Sequence, residues 1–373
     1  MRIIGLNYIY LSEKHAGGKD QVGLNLLRGF YENGDLDNII IICYDYSVEI
    51  IKKIAPNVKI ISIKSKKLKG ELDRLLQLSW VNTFVIPKII KKEGIDVLYH
   101  LSCNNGFRKL KVNSIVIPHD IKAVAHRVLA NVKVPFYKYW IYKVMYYFDF
   151  KHADHIIAIS DTDKKEISTY YSKFADKITR IYNPINISPI EKKEKTDEKY
   201  ITALNLQFHH KNIITLIKAF ELIKDQTECK LYLMGSVPKR VQYLKDYVSE
   251  HKLEDKIIFT GFIPDEEMQQ RFVNSTLYVN PTLYEGFGMT AIEAMIMKVP
   301  TLLSKIPTNY EITQGLCEYY EPAENERVLA RRILECLDKK FDVNILNEIS
   351  KKMLETYDYR VISKEYMTFF KEC

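Results

Sequence analysis

Short runs rich in Ile and Val recur along the chain, separated by longer amphipathic stretches, and this rhythm predicts alternating strands and helices. In the first half the strand-like runs are residues 3–9, 39–43, 58–63, 97–100, 114–117, 155–159 and 178–181. Helical patterns fall at 18–32, 71–92, 136–151 and 163–174. Asn183-Pro184 and the charge-dense run 191–198 then interrupt the pattern, and a proline followed by a polar tract is the composition of a domain linker. Beyond it the rhythm restarts, with strands at 200–204, 230–234, 256–260, 276–279 and 299–303. Its helices are expected at 212–224, 239–250, 265–272, 289–297 and 324–338. Pro264-Asp265-Glu266-Glu267 supplies a helix start, and Gly235 and Gly261 fall at strand-to-helix turns. Two successive α/β domains, each binding at its strand C-termini, predict a cleft between them.

A length of 373 residues agrees with two domains. With 47% hydrophobic and 27% charged residues the chain is globular and too apolar for disorder. The run 3–9 is too short for a secretory core and lacks a cleavage site, so it reads as a first strand. No window approaches the roughly 18–20 apolar residues that span a bilayer. Six scattered cysteines with no CxxC pair argue against a disulfide framework or a zinc site and suit a reducing cytoplasm.

Charge divides unevenly. Residues 1–185 carry 29 Lys+Arg against 18 Asp+Glu, and the remainder 26 against 29, so the first half is expected to meet something anionic. The densest basic stretch is 52–74, with Lys64, Lys66, Lys67 and Lys69. Nucleic acid, an anionic membrane face, a phosphorylated substrate or plain solvation would each account for it. Segment 136–150 holds nine aromatics in fifteen residues, with Lys138 and Lys143 among them. Of its two readings, a membrane-facing helix and a buried one, the buried helix is favoured, because the strand at 155 needs covering.

The chemistry concentrates in 281–295, Pro-Thr-Leu-Tyr-Glu-Gly-Phe-Gly-Met-Thr-Ala-Ile-Glu-Ala-Met. Gly286 and Gly288 permit a tight turn and close approach of a bulky anion, and the helix that follows offers free N–H groups and its positive dipole end. Glu285 stands in the loop and Glu293 inside the helix, among Ala291, Ile292, Ala294 and Met295, where a carboxylate needs a partner. Acceptor-only groups beside a phosphate seat suit the vicinal hydroxyls of a ribose or hexose. The run from Gly286 to Ala291 also fits the G-x-G-x-x-A dinucleotide fingerprint of an NAD-dependent oxidoreductase. Its place in the second domain, after a loop containing Pro281, and its own carboxylates weigh against that alternative.

Glu285 and Glu293 form an E-x7-E pattern that resembles the signature of the GT-B retaining glycosyltransferases of family 4. The resemblance extends to 204–220, 259–263 (Phe-Thr-Gly-Phe-Ile), 153–160 and 180–185, nearly the whole chain. It implies an α/β GT-B fold, two Rossmann-like domains facing each other across a cleft, at 1–184 and 185–355. A C-terminal helix in 356–373 would return to the first domain. It implies that Glu293 holds the donor ribose, and that Glu285 with Gly286, Phe287, Gly288, Met289 and Thr290 holds donor sugar and diphosphate. Gly235 and Phe262 would line the donor pocket, and Lys211 would stabilise the departing diphosphate. The family's arginine about five positions before this lysine is Leu206 here, and His210 stands where an arginine often precedes the lysine. His209 or His210 would then substitute as donor. On the first domain, His15-Ala16-Gly17-Gly18 resembles the glycine loop near the phosphates and acceptor, and His119 of Ile117-Pro118-His119-Asp120 would orient the reacting sugar without acting as nucleophile.

The activity this implies is transfer of a hexose from a UDP, GDP or dTDP sugar to a hydroxyl of a glycan or lipid-linked acceptor, with no metal and no other cofactor required. A non-catalytic nucleotide-sugar-binding subunit is the remaining alternative. The basic first half would face an anionic acceptor or membrane surface and not nucleic acid, in a cytoplasmic enzyme peripheral at the inner membrane face.

Overall fold

The computed structural model describes residues 2–14, 17–66, 70–129, 132–190 and 198–373. His15, Ala16, Lys67, Lys69 and most of the charged run 191–198 therefore lie outside the described residues. The chain divides into two compact units. One comprises Met1–Arg127, Val134–Asn186 and Thr356–Cys373, the other Val128–Lys133 and Ile187–Glu355.

In the first unit, β1 (Ile4–Asn7), β2 (Ile39–Tyr44), β3 (Lys59–Ile63), β4 (Val97–His100) and β5 (Asn113–Val116) precede a small antiparallel hairpin, β6 (Val128–Leu129) with β7 (Val132–Lys133), which clusters with the second unit. β8 (His155–Ala158) and β9 (Ile178–Arg180) complete a seven-stranded sheet in the order β3-β2-β1-β4-β5-β8-β9. Its pairings are all parallel. A parallel sheet is covered on both faces, which is why β2 reads as an unbroken Ile run and is buried at every position. Helix Gly18–Glu32 buries Val22, Leu26, Leu27 and Phe30. At its Gly29 a side chain would collide with Ser363 and the Tyr359 carbonyl, so the glycine lets helix Tyr359–Glu372 pack close. The chain enters that helix through backbone bonds from Ile185 to the Tyr357 carbonyl (2.8 Å) and from Tyr359 to the Ile185 carbonyl (3.0 Å).

The structure differs from the expected elements at definable points. The single helix expected at 71–92 is Glu71–Trp80, a π turn over Val81–Val85, and Ile86–Glu93. Pro87 lacks the N–H that would bond the Thr83 carbonyl, and Arg108 Nη2 takes that carbonyl at 3.0 Å. The helix expected from 163 starts at Asp161, because Ser160 caps it by accepting from the Asp163 N–H. Helix Phe136–His152 does bury Tyr146, Asp149 and Phe150. Its opposite face is exposed, however, so the favoured buried reading holds for one side only.

In the second unit, β10 (Tyr200–Leu204), β11 (Lys230–Met234), β12 (Ile257–Gly261), β13 (Leu277–Asn280), β14 (Thr301–Ser304) and β15 (Glu318–Tyr320) pair in parallel in the order β12-β11-β10-β13-β14-β15. β15 was not anticipated, and neither was helix Val343–Tyr357. The core joins Ile201, Leu231, Leu233 and Val279 of the sheet to Leu216, Phe220, Leu329 and Ile333 of its helices. Strand order reverses between β10 and β13, where a doubly wound sheet opens a crevice at its strand C-termini.

Candidate functional site

Two loops leave that reversal point, 205–212 after β10 and 281–288 after β13. Asn205 and Asn212 both adopt left-handed backbone (φ 64° and 57°), a conformation asparagine tolerates better than most residues. The Asn212 amide donates to the carbonyls of Pro281 (3.1 Å) and Ala323 (3.0 Å), and its oxygen accepts the Thr215 hydroxyl (2.8 Å). The Leu283 N–H donates to the His210 carbonyl at 2.8 Å. Loops far apart in sequence are thus joined by the Asn212 side chain and a main-chain bond.

On this frame Lys211 Nζ lies 2.6 Å from Glu285 Oε1, with side chains 14% and 10% exposed. Thr308 secures the next atom of the loop by donating to the Glu285 carbonyl (2.9 Å). Gly288 caps helix Met289–Ile296 in left-handed conformation (φ 87°), and a Cβ there would stand 3.0 Å from Ile312 Cδ1. The first amides of that helix have no side-chain cap, and they leave the positive dipole end open. Asn205 Nδ2 donates to Thr290 Oγ1 at 3.0 Å, tying the β10 loop to this first turn.

Glu293 follows one turn further along the same helix. Its carboxylate has no hydrogen-bond partner among the described residues, and burial pushes its pKa up to about 7. A buried carboxylate beside an uncapped helix start is suited to accept hydroxyl donors.

Gly235 and Gly261 are left-handed and bridged to one another, and Phe262 is largely exposed. His209 stacks on Tyr243 with ring centroids 5.4 Å apart, while the His210 backbone carbonyl holds the 281–288 loop. A cation does reach the loop that lacks the expected arginine. Arg240 Nε donates to the Gln207 carbonyl at 2.7 Å, and its guanidinium stands 4.5 Å from the Phe208 ring. No local sequence signal marks Arg240 or Asn205, because their partners belong to other strand ends.

In the first unit the strand order reverses between β1 and β4. Gly17 (φ 118°) precedes helix Gly18–Glu32, and Lys19 sits in its first turn. Burial, with Arg74 adding to it, lowers the Lys19 pKa to about 8. A lysine at a helix start is itself a signal, since the dipole disfavours it. His119 follows β5 with left-handed backbone (φ 65°), and its Nε2 is 2.7 Å from the Leu101 carbonyl. Burial lowers its pKa to about 4. The ring is therefore neutral, with Nε2–H donating and Nδ1 left as acceptor.

Among the described residues no cluster of His, Cys, Asp or Glu has the makings of a metal site, and no helix is long and apolar enough to cross a membrane.

Residues 16–189 match the family described as Glycosyltransferase Family 4, and residues 186–353 match Glycosyl transferases group 1. The O-antigen chain mannosyltransferase RfbU of Salmonella typhimurium is 27% identical over 329 residues, 84% of this chain and 85% of that one. Sucrose-phosphate synthase from Thermosynechococcus elongatus superposes with a TM-score of 0.81 at 16% identity, covering 100% of this chain and 99% of its own. Anabaena Alr3699/HepE in complex with UDP and glucose does so at 0.71 and 15%, covering all of both chains. The dinucleotide reading of Gly286–Ala291 has no counterpart in these matches. Matches that meet at residues 186–189 account for both units, and the chain belongs to glycosyltransferase family 4 (group 1), hexosyltransferases of GT-B fold that draw on nucleotide-sugar donors.

Proposed function

We propose that this enzyme moves a hexose, with retention of configuration, from a nucleoside-diphosphate sugar to a hydroxyl of a glycan or lipid-linked acceptor in surface polysaccharide synthesis. The observation that carries the donor assignment is the unpartnered, part-buried Glu293 carboxylate one turn into a helix whose N-terminus is uncapped. In this reading Glu293 accepts the two ribose hydroxyls. The Met289–Thr290 amides and the Lys211 ammonium meet the diphosphate, and Glu285 trades part of its bond to Lys211 for the hydroxyls of the sugar.

The chemistry follows from charge. The bond from the anomeric carbon to the diphosphate oxygen breaks with its electron pair going to the phosphate. The new negative charge falls near Lys211 and the helix start. That phosphate oxygen takes the proton of the acceptor hydroxyl as the new glycosidic bond forms on the same face. Arg240 supplies a second cation at the 205–208 loop, where the family's arginine is absent. In the first unit His119, with Gly17, Gly18 and Lys19 nearby in the fold, serves the acceptor side and presents a neutral acceptor nitrogen to a sugar hydroxyl.

The Salmonella relative is named an O-antigen mannosyltransferase and the Anabaena structure holds UDP and glucose, which is why a hexose and a surface glycan are favoured. The test is a thermal-shift panel of UDP, GDP, dTDP and NAD, followed by donor turnover with the stabilising nucleotide's sugars and NMR of the product anomer. Stabilisation by one nucleoside diphosphate and a product of retained configuration are expected. Stabilisation by none of the diphosphates, or an inverted product, would overturn the reading.

A further inference from the structure

Two helices of the first unit turn apolar side chains outward. On Phe136–His152, the residues Tyr137, Ile141, Val144 and Phe148 succeed one another one helical turn apart, and on Glu71–Trp80 so do Leu72 and Leu76. Each of these six is at least 44% exposed. Of these, Leu72, Leu76, Ile141, Val144 and Phe148, together with Phe107, wall an open groove of about 650 Å³, a volume in the range of sites that bury a small-molecule ligand. At its inner end the Asp149 carboxylate accepts the N–H groups of Asn104 (2.7 Å) and Asn105 (3.0 Å), so the one acid of helix Phe136–His152 is turned inward and already bonded.

Lysines stand over the exposed rings. Lys143 Nζ is 5.0 Å from the Trp140 ring, Lys66 5.6 Å from Trp80 and Lys151 5.9 Å from Phe148. Helix Glu71–Trp80 itself carries two acids, Glu71 and Asp73, against Arg74, so the positive charge of the patch is that of the lysines. Lysines folded over exposed aromatic rings beside an apolar stripe form the pattern of an interface with anionic lipid. A protein partner is the poorer fit, since the core of a protein–protein interface is depleted of lysine.

We propose that this groove takes the hydrocarbon chain of an anionic lipid, with Lys143 and Lys151, which stand over the Trp140 and Phe148 rings of its wall, meeting the phosphate-bearing headgroup. The inference deepens the lipid-linked acceptor reading above, and each can fail without the other.

Of the chain's two tryptophans, Trp140 lines the groove and Trp80 follows Leu76 by one turn on the neighbouring helix. The test mixes the full-length protein with vesicles of equal parts phosphatidylcholine and phosphatidylglycerol whose acyl chains carry bromine, which quenches tryptophan on contact. Quenching is expected, with binding about tenfold weaker to pure phosphatidylcholine. The double variant Ile141→Asp, Val144→Asp should lose the quenching while melting at the wild-type temperature, as both sites are exposed. Lys143→Glu, which keeps the apolar stripe, should weaken binding to the anionic vesicles about tenfold. Vesicle-bound protein with unquenched tryptophan, wild-type quenching in the double variant, or dimers that form in place of vesicle binding would each overturn the groove. Equal transfer to water-soluble and lipid-linked acceptors, with quenching intact, would instead overturn the acceptor reading alone.

Discussion

Lys211 and Glu285 form a nearly solvent-free ion pair, Nζ to Oε1 2.6 Å, across the point where the second sheet reverses its strand order. The two residues belong to the loops after β10 and β13, so the pair ties those loops together. Its neutrality explains how a largely buried lysine is tolerated. In the proposed reading an incoming diphosphate would offer that lysine a second anion, and the sugar would offer Glu285 hydroxyl donors in exchange.

Stability and activity should therefore separate at this pair. Lys211→Met leaves the Glu285 carboxylate with little solvent and no counter-charge, which should cost about 3 kcal/mol. Adding Glu285→Gln removes the stranded charge and should restore most of the melting temperature. Turnover should stay depressed by about 10²–10³ in both variants, the effect of losing one fixed group at a developing negative charge. Thermal denaturation and donor turnover check this together, and wild-type turnover in Lys211→Met would remove the lysine from the mechanism.

Gly288 makes a sharper structural prediction. Its φ of 87° disfavours any L side chain, and a methyl group would press on Ile312 at 3.0 Å. Gly288→Ala should destabilise the protein by about 2 kcal/mol. The strain falls at the start of helix Met289–Ile296, so nucleotide affinity should drop with it. Calorimetric titration with the nucleoside diphosphate measures this, and unchanged affinity would detach the helix N-terminus from the donor.

Much of this was legible in the chain and some was not, for physical reasons. β2 could be read because a fully buried parallel strand is a continuous apolar run. β15, Glu-Tyr-Tyr at a sheet edge, carries no such run and was missed. The candidate loop stands out because 281–295 is contiguous, so glycine spacing and carboxylate placement appear together. Asn205 bonds Thr290 across 85 residues, and Arg240 meets Gln207 from the end of a neighbouring strand. Such pairings exist only once strand order is set, and periodicity does not encode strand order. Pro87 was visible in the sequence, but its consequence, a π turn with Arg108 on the freed carbonyl, required knowing that Arg108 lay near.

His119 should behave as a permanently neutral ring. Burial holds its pKa near 4, below the ordinary 6.5. Between those values the unfolded chain binds the extra proton, so this residue's share of stability is complete above 6.5 and is lost as pH falls towards 4. NMR of the ring should show the Nε2–H tautomer down to about pH 4. The pH–rate profile should have no limb from this group in the usual histidine range. His119→Asn keeps the left-handed backbone at small cost and should lower transfer on the order of 10²-fold through lost positioning. Transfer at the wild-type rate would return His119 to a loop role.

Glu293 ties stability, pH and nucleotide affinity into one measurement set. Burial raises its carboxyl from 4.5 to about 7. The folded protein thus keeps a proton that the unfolded chain releases across that window. Stability from this group is full below 4.5 and falls as pH rises towards 7, by an amount on the order of 3 kcal/mol. Glu293→Gln removes the penalty, so the ligand-free variant should melt above wild type at pH values beyond 7 and close to it below 4.5. Nucleotide affinity should move the opposite way. Ribose hydroxyls donate to the ionised carboxylate, so wild-type affinity should rise with pH up to about 7 and then level. The variant should bind about tenfold or more weakly, as expected for losing a hydrogen bond to a charged group, and with no such pH dependence. A Glu293→Gln enzyme that is stabilised and still binds nucleotide like wild type would show a buried acid serving neither ribose nor reaction.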